Sequence, residues 1–136
     1  MGSGKEMGKT IGEVERITGI PKREIKYCIE QRLICPGKKS ESGYWIYDEQ
    51  EIGKLQMVVL FRRLECPNDA IRTLIDTPHV HWEQELQRQV TRLEEKHRRT
   101  EAQLVTVRWL LENLALEQVD FDLIARALHM YEEIQD

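Results

Sequence analysis

No stretch of this 136-residue chain reaches the roughly 18 consecutive apolar residues that a membrane-spanning helix needs. The opening residues 1–9 lack the apolar core of a secretory signal and read as a leader outside the fold. Cysteine is scarce. Cys28, Cys35 and Cys66 are odd in number and form no Cys-x-x-Cys pair, so a disulfide scaffold is excluded and a reducing cytoplasm is expected. None of the three lies in residues 67–136. There is no Gly-rich phosphate loop, no His-Glu-x-x-His and no Gly-x-Ser-x-Gly. The expectation is therefore no enzyme and no cofactor. His79-x-His81 is a weak metal hint, and two histidines at a junction are more often surface residues, so no metal is expected. Internal repeats and low-complexity tracts are also missing.

What remains is a charged chain, 32% Asp, Glu, Lys and Arg, that nets −4. The sum hides an asymmetry. Residues 1–78 hold 13 basic and 12 acidic residues, whereas residues 79–136 hold 7 and 12. Within Pro21–Tyr47 the basic residues lead six to three. A duplex binder needs such a local basic face rather than a high overall pI.

The spacing predicts two short helices joined by a tight turn. Thr10 and Glu13 make a capping box ahead of Ile11, Val14 and Ile17. Gly19 stops that helix and Pro21 opens the next. The second helix turns Ile25, Cys28 and Ile29 inward and Lys22, Arg23 and Lys26 outward. This arrangement can present a helix N-terminus and its cations to a major groove. The runs Leu33-Ile34-Cys35 and Tyr44-Trp45-Ile46-Tyr47 read as strands flanking a loop with Lys38 and Lys39, giving a hairpin wing. A second box, Asp48 with Glu51, starts a helix that turns Ile52, Leu55, Val59, Leu60 and Leu64 inside. A short fourth helix then buries Ala70, Ile71, Leu74 and Ile75.

Beyond Pro78 the strongest periodicity begins. Leu86, Val90, Leu93, His97, Thr100, Leu104, Val107, Leu111 and Leu114 alternate in steps of four and three. Such a heptad seam spans about 42 Å of helix. Two partners are open to it, a second chain or its own head, and its length favours a second chain. His97 and Thr100 would then fix register. Asp120 can cap a last helix over 121–134, with Phe121, Ile124, Leu128 and Tyr131 on one face and Leu123, Ala127, Met130 and Ile134 beside them.

These pieces, in this order, resemble the MerR family of bacterial regulators. The residues that carry the likeness are Ile11-Gly12-Glu13-Val14, Thr18-Gly19-Ile20, Ile25-Lys26-Tyr27, Leu33-Ile34, Gly43 through Tyr47, and Ala70-Ile71 with Leu74. Thr77-Pro78-His79 before a charged seam is most similar to the drug-responsive TipA/Mta-like branch, of which this would be a short form. The chain departs from the pattern at Lys26, Cys28 and Trp45, where the family has Arg, Tyr and Arg. It departs again at Leu64-Glu65-Cys66, where the family has Leu-Gly-Phe. The resemblance implies a mainly α fold. Four helices and a small β-hairpin form a winged helix-turn-helix head over 10–78, followed by a long antiparallel coiled-coil helix over 79–117 and a short C-terminal helix over 118–136. It also implies a homodimer on a near-palindromic promoter operator, acting on RNA polymerase indirectly by bending and untwisting the duplex.

The expected duplex contacts are Lys22, Arg23, Lys26 and Tyr27 on the second helix, with Lys38, Lys39, Tyr44 and Tyr47 on the wing. For the two wing tyrosines, packing is an equal alternative. An aromatic or cationic effector could sit among Trp82, Trp109, Phe121, Met130 and Tyr131, near Glu112, Glu117, Asp120, Asp122, Glu132 and Glu133. Alternatively, these residues glue the last helix to the partner's head. Two other functions stay open: a ligand-independent, excisionase-like architectural DNA factor, and a coiled-coil adaptor that binds protein.

Overall fold

The computed structural model describes residues 8–114, 116 and 118–135. It contains α1 (Ile11–Thr18), α2 (Lys22–Glu30), β1 (Lys38–Lys39), β2 (Trp45–Ile46), α3 (Glu49–Arg63), α4 (Asn68–Asp76), a 3₁₀ turn (His79–His81), α5 (Glu83–Leu114) and α6 (Phe121–Gln135). Two compact units divide it, Met1–Glu85 and Leu86–Asp136.

Local chemistry sets the element ends. The Thr10 amide donates to Glu13 Oε1 at 2.9 Å, and the Glu13 amide donates back to Thr10 Oγ1 at 3.3 Å. Gly19 caps α1 at φ 78, a left-handed backbone that glycine takes without a Cβ clash. Asp48 and Glu51 repeat the box ahead of α3, at 2.8 and 2.9 Å. The Asp120 carboxylate accepts from the Leu123 amide at 2.9 Å and starts α6.

In the first unit α1 packs on α2, α2 on α3, and α3 on α4. One core runs through Val14, Ile25, Cys28, Leu55, Val58, Ile71 and Leu74. Burial of that apolar surface is its main stabilisation. Trp82 closes the edge. Its ring meets Phe61 edge-on at 5.4 Å and its indole N–H donates to the Thr77 carbonyl at 2.9 Å. The head thus runs past Pro78, the boundary the sequence suggests.

Four details depart from the sequence reading. Ile17 is 62% exposed, because α1 buries a narrower stripe centred on Val14. On α3, Leu60 and Leu64 lie outside while Val58 and Phe61 are buried, since Phe61 is the side chain that reaches Trp82. Leu33 and Ile34 form no strand. Both are buried, and consecutive strand residues would point to opposite faces. The first wing strand is instead the lysine pair Lys38–Lys39. Finally, Lys9 exchanges two 2.8 Å backbone hydrogen bonds with Tyr47, so the expected leader ends before it. Residues 1–7 of that leader lie outside the described residues.

In the second unit, the Arg126 guanidinium of α6 lies 5.7 Å over the Trp109 ring of α5. Ala102, two turns before Trp109 on the same flank, is fully buried, as is Leu123 of α6. That flank is roughly opposite the heptad seam. All seven apolar seam residues are exposed in the single chain.

Candidate nucleic-acid interface

Helix α2 starts with no side-chain cap of its own. Glu15 of α1 supplies one, accepting the Lys22 backbone N–H at 3.0 Å and satisfying one of the orphan donors every helix start carries. From that start, Lys22, Arg23 and Lys26 project into solvent. The buried side of the same helix holds Ile25 and Cys28. Burial pushes the Cys28 thiol up, which keeps it protonated and inert.

Of the two acidic residues of this helix, Glu30 is exposed at its end and Glu24 is matched from a distance. Glu24 accepts from Arg62 Nη1 at 2.7 Å and from Arg63 Nη1 and Nη2 at 2.6 and 2.8 Å. Its carboxyl is held below the usual carboxylate range, first by the Arg63 hydrogen bond, against the upward pull of burial. Arg62 also stacks 4.2 Å over the Tyr27 ring. Tyr27, expected at the duplex, therefore has one ring face occupied by α3. Sequence reasoning missed Arg62 and Arg63. Two cations in the last turn of a helix already have a local explanation in the macrodipole, which hid their link to a residue 38 and 39 positions away.

The wing pairs Lys38 with Ile46 and Lys39 with Trp45. Ser40 builds its tip: its amide donates to the Tyr44 carbonyl at 2.7 Å, its carbonyl accepts from Gly43 at 2.9 Å, and its hydroxyl accepts the Tyr44 amide at 3.1 Å. Gly43 sits at φ 88. Lys38, Lys39 and Tyr44 are exposed at this tip. The Lys39 ammonium stands 4.8 Å over the Trp45 ring. Tyr47 is a correction to the expected duplex contacts. It is 1% exposed and part of the core, and burial raises its hydroxyl pKa. The packing alternative applies to it, because the strand that carries it is pinned inward by Lys9.

The aromatic set splits between the units. Trp82 is engaged in the head. In the second unit one face of Trp109 carries Arg126, Met130 and Tyr131 are half-buried, and Phe121 is 96% exposed. Glu117 of the acidic set lies outside the described residues. The head itself holds a concavity of about 340 Å³ beside Arg32, Cys35, Lys54 and Arg72, which the sequence did not suggest. Among the described residues no group of three or more His, Cys, Asp or Glu could hold a metal ion, and no helix is long and apolar enough to cross a membrane.

Residues 9–77 match the family model described as MerR HTH family regulatory protein. The chain is 26% identical over 83 residues to the HTH-type transcriptional activator TipA of Streptomyces coelicolor, covering 61% of this chain and 33% of the relative. It spans between a third and two-fifths of the length of the first curated relatives it matches. Its fold is similar to that of a MerR family transcriptional regulator from Bacillus cereus, with a TM-score of 0.75 and 18% identity over 95% of this chain and 99% of the other. It is also similar to the N-terminal part of the Bacillus subtilis multidrug transporter activator, with a TM-score of 0.66 and 23% identity over 76% of this chain and 97% of that one.

Proposed function

Because the chain belongs to the MerR HTH family of regulatory proteins, we propose that it is a dimeric, sequence-specific DNA-binding transcription regulator. The observation that carries this reading is the outward row Lys22, Arg23 and Lys26 on a helix whose start is capped by α1 and whose Glu24, the acid among those cations, is turned onto α3. Phosphate neutralisation by that row supplies affinity, and side chains at base edges supply selectivity. Lys38, Lys39 and Tyr44 on the wing grip the flanking backbone.

Dimerisation runs along the seam, whose apolar residues are all exposed in one chain while α6 occupies the opposite flank. Exposed apolar surface of this extent is unfavourable in water and is relieved by a second copy. His97 and Thr100 set its register. Two heads held roughly 34 Å apart would read two half-sites of a near-palindrome. Bending and untwisting of the promoter between them then brings both polymerase elements into line. For an effector, Trp109 is the natural receptor. A cationic guest would compete with Arg126 for its ring.

The test is a salt series of binding to the DNA upstream of the gene. Each phosphate contact contributes about 0.9 to the log–log slope. Lys26→Ala is expected to weaken binding and flatten the slope while leaving the thermal transition in place. Wild-type affinity and slope in that variant remove the reading.

A further inference from the structure

The wing carries an exposed cation–π pair that the helix-turn-helix reading does not use. Lys39 and Trp45 sit directly opposite across the two-stranded ladder, with the ammonium 4.8 Å from the ring centroid. Trp45 is only half covered, at 39% exposure, and Lys39 is exposed beside it. Neither the hairpin core nor the head accounts for a large aromatic on this surface. Tyr47, the next residue but one, already plugs the core from this strand. We propose that Trp45 is a positioning residue for phosphate binding. It fixes the Lys39 ammonium against its ring, so that the wing engages one backbone phosphate through an already ordered cation. A lysine side chain otherwise surrenders considerable rotamer freedom when it is immobilised. The ring restricts that freedom before the duplex arrives, and the ammonium keeps its other N–H groups for a phosphate. A residue that acts through Lys39 leaves a distinctive mark: its effect exists only when Lys39 is present.

The proposal rests on the duplex reading, and a double-mutant cycle separates the two. The DNA is the same upstream fragment, titrated at several salt concentrations with wild type, Lys39→Ala, Trp45→Leu and the double variant. Trp45→Leu is expected to weaken binding about 2- to 5-fold, the range of an exposed cation–π contact. In the Lys39→Ala background the same change is expected to do almost nothing. Trp45→Phe, which keeps a ring face, should recover part of the loss. Lys39→Ala should lower the salt slope by about 0.9. Thermal melts of all five proteins check that the head is intact. If Trp45→Leu weakens binding equally with and without Lys39, or changes nothing in either background, the positioning role is overturned. If Lys26→Ala in the same titration also leaves affinity and slope unchanged, the duplex reading itself falls, and that outcome is distinct from additivity at the wing.

Discussion

Replacing Glu24 with alanine should unfasten the recognition helix from its support. Three hydrogen bonds disappear, one from Arg62 and two from Arg63. Their weights differ. The Glu24 side chain is 11% exposed and that of Arg62 28%, but Arg63 is 58% exposed and regains water easily. A charge-assisted bond from the more sheltered Arg62 contributes about 1.5 kcal/mol. The exposed Arg63 pair adds little, because water screens it. The expected loss is therefore about 1.5 kcal/mol, or roughly 6–12 °C in the melting of a head of this size. Glu24→Gln keeps a carbonyl acceptor and should lose about half as much. The pH dependence has a fixed sign. Glu24 is depressed in the folded state, so its contribution is present above the unfolded carboxylate pKa and is lost as pH falls through the lower folded value. The gap between wild type and Glu24→Ala should therefore be full at neutral pH and shrink in acid. Urea denaturation followed by tryptophan fluorescence, to which Trp82 of the head contributes, measures it. A loss below about 0.5 kcal/mol, the range of an ordinary surface change, would refute the anchoring. So would a loss that stays undiminished in an Arg62→Ala/Arg63→Ala background.

Two further perturbations test the dimer and the wing. Leu104→Glu places a charge in the middle of the exposed seam, and burying it against a second chain is prohibitive. Light scattering should report single-chain mass, and a persistent dimer would contradict the seam. Gly43→Ala puts a Cβ on a backbone at φ 88 with open space around it, so only the dihedral resists. The expected change is a destabilisation of about 1 kcal/mol together with weaker DNA binding, and an unshifted denaturation midpoint would show that the turn tolerates the side chain.

The features legible in the sequence have causes within three or four residues. Thr10 with Glu13, Asp48 with Glu51, Asp120 and Gly19 each fix a helix end through a neighbour, and each end lies where the pattern puts it. The order of four helices and a hairpin follows from those punctuations. Helical period alone does not say which of two adjacent apolar residues faces inward. On α3 the choice between Leu60 and Phe61 is made by Trp82, some twenty residues later. Leu33 and Ile34 likewise read as strand by residue type, while tertiary burial of both sides excludes it. Glu65 lies where the resemblance leads one to expect glycine, yet its backbone keeps the left-handed turn, at φ 63, so the site tolerates strain for the same geometry. The charge count within Pro21–Tyr47 carries the largest consequence. Counted locally, Glu24 subtracts from the basic face of α2. In the fold its charge is matched by Arg62 and Arg63, which lie outside that window. The outward row of Lys22, Arg23 and Lys26 thus presents a more positive surface than composition suggests. The ion pair that anchors α2 also takes Glu24 out of the charge that the helix shows to a polyanion, leaving Glu30 at its far end as the exposed acid.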